Sequence, residues 1–148
     1  HITVDTMDAE ELEHRLLSIL KEDPKASLGE IADQAGVARP TARKYIEKLE
    51  EEGAIVGYTV EIDPKKVNHQ SIAMVGIDVE SDQYVEATSK LRDLDSLTAL
   101  YTATGDHMLM AELEATGSTE LNEIVSDQIL SIKGVTTACP AVLQERLK

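Results

Sequence analysis

The sequence predicts an α+β protein of two domains, a winged-type helix-turn-helix domain followed by a ferredoxin-like βαββαβ domain. Residues 8–62 show three short segments of helical periodicity and then one β-branched stretch, with a tight turn before the third helix. Residues 71–148 alternate strand-like and helix-like patterns in the order β-α-β-β-α-β. The expected boundaries are therefore 1–62 for the first domain, 63–70 for a polar, proline-marked linker, and 71–148 for the second domain.

Composition and charge limit the class of protein. The chain of 148 residues carries 28 acidic and 14 basic side chains, a formal net charge of −14, and 42% hydrophobic residues, enough for a folded core. No apolar run approaches the ~18 residues of a membrane span, and Cys139 is the single cysteine. These features predict a cytoplasmic protein without an intramolecular disulfide. The acidity suits either an ordinary solvated surface or a salt-rich cytoplasm.

Two helices are expected first, each with its own boundary signals. An apolar stripe at helical spacing indicates the first helix, and it ends before a proline: Leu12, Leu16, Ile19 and Leu20. The second helix opens with the S-x-x-E capping box of Ser27 and Glu30. Gly36 is expected to end it, because glycine adopts the left-handed conformation at a helix end without strain.

A third helix and a strand complete the predicted first domain. The helix is expected over residues 39–52, with Pro40 in its first turn. Its inward-facing residues are Ala42, Ile46 and Leu49, and Gly53 ends it. The following "AIVGYTVEID" is rich in β-branched residues and predicts an extended strand.

The second domain is expected to contain four strands and two helices. The predicted strands are 71–80, 97–104, 108–114 and a last one within "GVTTACPAVLQE", and the predicted helices are 82–94 and 118–130. Pro140 marks the last strand as an edge strand, because proline cannot donate to a ladder. In the first of these helices the expected inward residues are Val85, Thr88, Leu91 and Leu94. In the second they are Leu121, Ile124, Val125 and Ile129, after a start at Ser118 or Thr119.

A basic segment lies on the predicted third helix of this acidic chain. Arg39, Arg43, Lys44 and Lys48 fall within ten residues that contain one acid. Three glutamates, at 50–52, follow at the far end of the same helix. So small a group of bases predicts contacts made by a few placed side chains rather than binding by overall charge.

Both halves of the chain resemble the Lrp/AsnC (feast/famine) family of transcription regulators. The run "EIADQAGVARPTARKYIEKLEEEGAIVGYTVEIDPKKV" is similar to their helix-turn-helix half. The runs "YTATGDHMLMAEL" and "ILSIKGVTTACPAVLQERLK" are similar to their C-terminal effector-sensing half. The most specific element is the joint pattern of a helix-turn-helix, G-x-I-x-G-Y, T-G-D before a strand, and G-V-x-x-T/A at the last strand. The acidity and the tail "LQERLK" point to an archaeal, haloarchaeal member.

The resemblance implies a DNA-binding regulator of amino-acid or nitrogen metabolism genes, with no metal or other cofactor. Its partners would be double-stranded operator DNA, further copies of itself and a small effector, commonly an amino acid. The homodimer would pair through the C-terminal sheets and assemble further into tetramers or octamers, with the effector bound between dimers.

Six residues of the predicted third helix are candidates for DNA contacts: Arg39, Pro40, Thr41, Arg43, Lys44 and Lys48. In a helix-turn-helix the first residues of the second helix of the motif reach base edges in the major groove. Arg39 and Arg43 are one turn apart, and each can offer a bidentate fork to guanine. Thr41 suits a base or a phosphate, and the two lysines suit phosphates. The plainer alternative is a solvated helix face.

Five residues are candidates for effector binding: Gly105, Asp106, His107, Thr136 and Thr137. In the family, the "TGDHM" hairpin contributes to the effector site. Asp106 is a candidate for holding a ligand ammonium, His107 for a hydrogen bond or a response to pH, and the two threonines for hydroxyl contacts. The alternative is an ordinary Gly-Asp turn with a surface histidine.

The chain departs from the family pattern at two positions. Ala38 stands where relatives usually place a hydroxyl residue as helix N-cap, which should cost the helix start about 1 kcal/mol. Met108 stands where many relatives carry a second acid, two residues after the position of Asp106. Its absence weakens the case for a contact with an α-amino group.

The motifs of an enzyme or a metal protein are absent from the sequence. His14, His69 and His107 are scattered without zinc-ligand spacing, and neither a phosphate-binding Gly-rich loop nor a nucleophile elbow is present. Two alternatives to a specific regulator stay open. One is a ligand-sensing assembly protein, favoured because residues 1–64 hold seven basic and 15 acidic side chains. The other is an architectural DNA-compacting protein with little sequence specificity.

Overall fold

The computed structural model describes residues 8–68 and 70–148. Residues 1–7 of the predicted first domain, and His69 in the predicted linker, lie outside this described part. The chain divides into two compact units, the first ending at Val60 and the second spanning Glu61–Lys148. The stretch 63–70, predicted as a linker, belongs to the second unit.

The first unit contains three helices, α1 (Ala9–Glu22), α2 (Leu28–Ala35) and α3 (Arg39–Glu51). Their apolar stripes meet in a small aliphatic core of Leu12, Leu16, Ile31, Ala32, Ala35 and Ala42. The Arg15 guanidinium donates to the Ala35 carbonyl at 3.3 Å and so joins α1 to the end of α2. The three predicted helices are confirmed, and the boundaries that were predicted lie within two residues of the observed ones.

The predicted helix boundaries of α2 follow from its local chemistry. The Ser27 hydroxyl accepts a hydrogen bond from the Glu30 backbone N–H at 3.2 Å, which satisfies one of the free donors at the helix start. Gly36 adopts φ 73° and ends the helix in the left-handed conformation. The short turn to α3 follows directly.

The strand expected over residues 54–63 does not form. Within the described residues this segment pairs with no other strand, and Val56, Tyr58 and Val60 are 95%, 56% and 78% exposed. The prediction was wrong because β-branched composition favours an extended backbone, whereas a strand also needs a neighbouring edge to bond.

The second unit is an antiparallel four-stranded sheet with its helices on one face. The elements in chain order are β1 (Ser71–Val79), α4 (Tyr84–Arg92), β2 (Leu97–Thr102), β3 (Leu109–Ala115), α5 (Ser118–Glu123) and β4 (Val135–Leu143). The strand order across the sheet is β2-β3-β1-β4. The predicted βαββαβ order is confirmed, and Pro140 lies on an edge strand as expected.

The core of this unit lies between the sheet and the helices. Every second residue of β1 and β3 points into it: Ala73, Val75, Ile77, Val79, Leu109, Ala111, Leu113 and Ala115. The facing helical residues include Ala87, Leu91, Leu121, Ile124, Val125 and Ile129. The opposite face of the sheet carries Met74, Met110 and Tyr101, which are half-buried or exposed.

Helix α4 turns a different face inward from the predicted one. Val85, predicted to face the core, is 78% exposed, whereas Ala87 is buried and Tyr84 is half-buried. The buried stripe runs through Tyr84, Ala87 and Leu91, which share a face at spacings of three and four residues. Val85 lies about 100° away from this stripe. Leu91 and Leu94 pack against the core as predicted.

The start of α5 also differs from the prediction. Gly117 is the N-cap residue, and neither Ser118 nor Thr119 caps the helix with its side chain. Instead the Glu120 carboxylate, inside the first turn, accepts hydrogen bonds from the Thr116 backbone N–H and hydroxyl. The hydroxyl bond lowers the pKa of Glu120. The helix continues as a π-helical turn over Ile124–Ile129.

The segment that enters the second unit contacts residues near the other end of the same unit. The Arg146 guanidinium bonds to the Glu61 carboxylate at 2.9 Å, and the Arg146 N–H donates to Asp63 at 3.2 Å. Lys65 and Glu145 form an ion pair at 3.5 Å. These bonds hold residues 61–65 beside 145–146. The pKa of Asp63 is lowered, first by the Arg146 N–H.

Across the described residues, every helix is too short or too polar to cross a lipid bilayer.

Candidate functional site

The first two turns of α3 present a basic surface. Ala42 and Leu49 anchor one side of the helix in or beside the core, so the opposite side faces outward. Arg39, Arg43 and Lys44 are exposed on this outward side. Pro40 is also exposed and Thr41 is half-buried. The structure thus leaves three cations accessible near one helix end.

The start of α3 and the start of α2 form an open cavity of about 450 Å³. It is lined by Ser27, Leu28, Gly29, Arg39, Pro40 and Arg43. The first backbone N–H groups of α2 have no partner within their own helix, so this end of α2 carries partial positive charge. Two guanidinium groups and a helix start therefore share one concave surface, which suits an anion.

Neither arginine in this cavity is neutralised. Among the residues that the structure describes, no carboxylate lies within 4.0 Å of the Arg39 or Arg43 guanidinium. The Arg39 guanidinium instead lies over Gly29, where a Cβ atom would be 2.6 Å from its nearest nitrogen. Within the described part of the chain, these two groups therefore keep their hydrogen-bonding capacity for a partner.

Lys48 differs from the other cations of α3. Its ammonium donates to the Glu13 carboxylate of α1 at 2.9 Å, and Glu52 lies 4.0 Å away. The hydrogen bond from Lys48 to Glu13 raises the pKa of Lys48. A phosphate would have to compete with Glu13 for this lysine.

The α3 start lacks a side-chain cap, as the sequence predicted. Ala38 is the N-cap residue, with an extended backbone at φ −72° and ψ 153° and no side-chain hydrogen bond to the helix. Pro40 in the first turn removes one free N–H donor. The remaining donors at this end are open to solvent or to an anion.

A second cluster surrounds Asp78, near the end of β1. One carboxylate oxygen accepts from the Thr137 hydroxyl at 2.6 Å and lies 2.9 Å from Nδ1 of His107. The other oxygen accepts from the Met108 backbone N–H at 3.0 Å. The Asp78 carbonyl also accepts from the Thr136 hydroxyl at 3.1 Å. Asp78 therefore joins β1 both to β4 and to the hairpin between β2 and β3.

These hydrogen bonds shift the acidity of Asp78. The Thr137 hydroxyl contributes most, followed by His107 and the Met108 N–H, and together they lower the pKa of Asp78 to about 2. The carboxylate is therefore charged at any pH near neutrality. Because both of its oxygens are already bonded, Asp78 supports its neighbours instead of offering a free acceptor.

The structure gathers three of the five candidate effector residues. His107, Thr136 and Thr137 meet at Asp78, whereas Gly105 and Asp106 lie outside this cluster in the exposed hairpin turn. Gly105 has φ 109°, a conformation that favours glycine in this turn. Met108 is 38% exposed and contributes its backbone N–H to the cluster.

Three residues of these surfaces escaped prediction from the sequence. They are Gly29, Gly76 and Asp78. Gly76 lies directly under the His107 ring, which occupies the space that a Cβ atom would need. A glycine inside a strand often marks such a close approach, and that signal was available.

Metal binding has no support in the described part of the chain. No three His, Cys, Asp or Glu side chains there lie close enough together to hold a metal ion. The Asp78 carboxylate makes its hydrogen bonds to protein groups.

Comparison with protein families matches both units. A winged helix-turn-helix DNA-binding family matches residues 10–56, and the Lrp/AsnC ligand binding domain matches residues 72–148. The chain is 56% identical over 142 residues to the HTH-type transcriptional regulator LrpA1 of Halobacterium salinarum, covering 96% of this chain and 100% of that protein. It is 38% identical over 133 residues to LrpA of Pyrococcus horikoshii, covering 90% of this chain and 94% of that protein.

Solved structures share the fold. A transcriptional regulator from Neisseria meningitidis, crystallised as a complex with L-Met, superposes with a TM-score of 0.71 at 19% sequence identity. The match covers 97% of this chain and 93% of the Neisseria chain.

Proposed function

Because the chain belongs to the Lrp/AsnC family of transcriptional regulators, as an archaeal member with a haloarchaeal relative, we propose that it binds specific operator sequences with α3 and responds to an amino acid. Its targets in this proposal are genes of amino-acid or nitrogen metabolism. The family placement and the fold predicted from the sequence are both confirmed. Its relatives are transcriptional regulators and not enzymes. A regulator of this kind works on chromosomal DNA, in the cytoplasm.

The observation that carries the DNA proposal is the pair of unneutralised guanidinium groups at the start of α3. In an acidic chain with a net charge of −14, exposed arginines would be expected to find carboxylates nearby. Arg39 and Arg43 have none within reach among the described residues. In our proposal Arg43 reads a base edge, Pro40 and Thr41 pack against the groove, and Lys44 contacts a phosphate.

Oligomer formation is part of the proposal, because one copy offers few contacts to DNA. A homodimer would place two copies of α3 on half-sites about one helical turn apart. Self-association is supported by two surfaces: the sheet face with Met74, Met110 and Tyr101, and the exposed apolar residues of segment 54–60. Tetramers or octamers would add further half-sites.

The effector proposal rests on the hairpin of residues 103–108. The fold relative from Neisseria meningitidis holds L-Met, so an amino acid is a reasonable first class of ligand. Asp106 is the carboxylate of this hairpin with no hydrogen-bond partner among the described residues, and it suits a ligand ammonium. The hairpin is held against β1 and β4 by Asp78, with His107, Thr136 and Thr137 beside it.

The DNA proposal is tested by fluorescence anisotropy with a duplex from the promoter of the gene itself and a scrambled duplex of equal length. Both are titrated over a series of salt concentrations, because phosphate contacts make log affinity fall linearly with log salt. We expect tighter binding to the promoter at each salt concentration. Equal affinity for both duplexes would favour the architectural alternative. Absence of any salt-dependent binding would favour the assembly protein, which the 15 acids of residues 1–64 support.

The effector proposal is tested by thermal shift against the twenty amino acids. A ligand that binds the folded state raises the unfolding temperature by mass action. Asp106→Asn should abolish the shift of any hit, while Asp33→Asn on exposed α2 serves as a control. A flat screen with the wild-type chain would contradict amino-acid sensing.

A further inference from the structure

We infer that Gly29 positions Arg39 on the start of α2, where the Arg39 guanidinium binds a DNA backbone phosphate rather than a base. This inference rests on the proposed DNA binding by α3. It assigns Arg39 to the DNA backbone, whereas the sequence alone suggested that Arg39, like Arg43, hydrogen-bonds to a guanine base. It also gives a function to a glycine inside a helix.

Steric evidence ties the two residues together. A Cβ atom at Gly29 would lie 2.6 Å from one terminal nitrogen of Arg39, 2.9 Å from the guanidinium carbon and 3.0 Å from Nε. The guanidinium group therefore occupies the space that a side chain at position 29 would need. Any side chain at position 29 has to displace Arg39, and a flexible arginine can move without disturbing the fold.

A glycine at position 29, inside α2, destabilises the helix, so its presence there calls for a role. Glycine inside a helix is less favourable than alanine because it loses more backbone freedom on folding. No turn or left-handed conformation requires glycine here, since Gly29 is not among the residues with positive φ. The space above its backbone is the property that distinguishes it from alanine at this site.

The position of the Arg39 guanidinium favours a phosphate, rather than a base, as its partner. Although Arg39 is exposed, its guanidinium lies over Gly29 of α2 and lines the same cavity as Ser27. In a helix-turn-helix the first helix of the motif, here α2, crosses the DNA backbone, while the second, here α3, enters the major groove. A guanidinium placed on the first helix therefore meets the backbone, where the α2 start adds N–H donors for the same anion. Arg43 remains the base reader.

The test combines three variants with both duplexes of the binding assay. Gly29→Ala should weaken binding to promoter and scrambled DNA by the same factor, about tenfold, the change that one charge-assisted hydrogen bond supports. It should also reduce the salt slope by about one, the value of one phosphate contact. Arg39→Ala should do the same, and the double variant should bind no more weakly than Arg39→Ala alone.

Controls separate this effect from changes in folding. Gly29→Ala should unfold at the same or a higher temperature than wild type, because alanine favours the helix. Gln34→Ala, on an exposed position of α2 outside the cavity, should leave DNA affinity unchanged. Weaker binding by a chain that is at least as stable then points to the displaced Arg39.

Several outcomes would overturn the inference while the proposed function stands. One is wild-type affinity for Gly29→Ala. Another is a further loss when Gly29→Ala is added to Arg39→Ala. A third is a loss in Arg39→Ala that falls on the promoter and spares the scrambled duplex, as expected for a base reader. A wild-type chain that binds neither duplex would instead overturn the proposed function, and this inference with it.

Discussion

At the start of α3, Arg39 and Arg43 face solvent without a carboxylate partner in the described structure, whereas Asp78 in the second unit bonds to three neighbouring groups. Both places concentrate polar side chains, yet they use them differently. The α3 start keeps its hydrogen-bonding capacity free for another molecule. In the Asp78 cluster the polar groups bond to one another, and these bonds hold β1, β4 and a hairpin together. Clustering of polar residues alone thus does not identify a binding surface, and our DNA proposal rests instead on the hydrogen-bonding capacity that the two arginines leave unused.

The largest expected effect is the loss of the free guanidinium of Arg43. Arg43→Ala should weaken promoter binding by about 1–3 kcal/mol, while scrambled DNA is affected less. Fluorescence anisotropy on the two duplexes measures the difference. Arg15→Ala is the matched control, since Arg15 bonds to the Ala35 carbonyl and lies outside the cavity. If both duplexes lost affinity equally, Arg43 would be a phosphate contact.

The next effect concerns the bonded carboxylate. Asp78→Asn should lower the unfolding temperature, because it removes the charge that Thr137, His107 and Met108 stabilise. The sign of the pH dependence follows from the pKa of about 2, which lies below the ordinary value of about 3.9 for aspartate. The stabilisation is full above about pH 4 and is lost as the pH falls towards 2. Thermal unfolding of both chains at several pH values measures this.

The advantage of the wild type over Asp78→Asn should therefore narrow between about pH 4 and pH 2. Asp106→Asn is the control, since Asp106 is exposed in the adjacent turn. A constant difference at all pH values would mean that the charge of Asp78 contributes nothing and that the shape of the cluster matters instead.

A smaller effect on the free energy of unfolding is expected from the N-caps of α2 and α3, the two helices that line the cavity. Ala38→Ser should add the missing N-cap of α3 and raise the free energy of unfolding by about 1 kcal/mol. Ser27→Ala should remove the existing cap of α2 and lower it by a similar amount. Urea denaturation measures both. Changes of the same sign in the two variants would show that capping does not control these helix starts.

The smallest expected effect is a difference in the salt dependence of DNA binding between variants of two lysines of α3. Lys44 has no carboxylate within 4.0 Å in the described residues, whereas Lys48 is bonded to Glu13. Lys44→Gln should therefore reduce the salt slope of DNA binding by about one, and Lys48→Gln by less. The salt series gives both slopes. A larger change for Lys48 would mean that DNA displaces Glu13.

The elements that were predictable are those whose signals lie within a few residues. The Ser27 N-cap, the left-handed Gly36 and the uncapped Ala38 could all be predicted, since each depends on neighbours in the chain. The order of strands and helices in the second unit followed from periodicity in the same way. Pro140 on an edge strand is a further case.

What escaped prediction depends on contacts between distant segments. Segment 54–63 has strand composition, but no strand among the described residues pairs with it, which composition cannot reveal. Asp78 bonds to residues 29 to 59 positions away, and Arg39 folds back onto Gly29 of the preceding helix. Lys48 was predicted to contact a phosphate, but its ammonium is bonded to Glu13, which lies 35 residues earlier. The sequence therefore supplied most of the candidate residues, but not the hydrogen bonds that some of them already make to distant parts of the chain.

The bonds of Arg146 to Glu61 and Asp63 have a practical consequence for protein engineering. They bring together the two ends of the segment 61–148, so this unit can be inserted as one block into a surface loop of another protein. Its own ends could equally be joined by a short linker and new ends opened in an exposed turn such as the one at Gly105 and Asp106. Combined with the effector response proposed above, this unit would become a portable module whose response to a ligand is coupled to a fluorescent or enzymatic reporter.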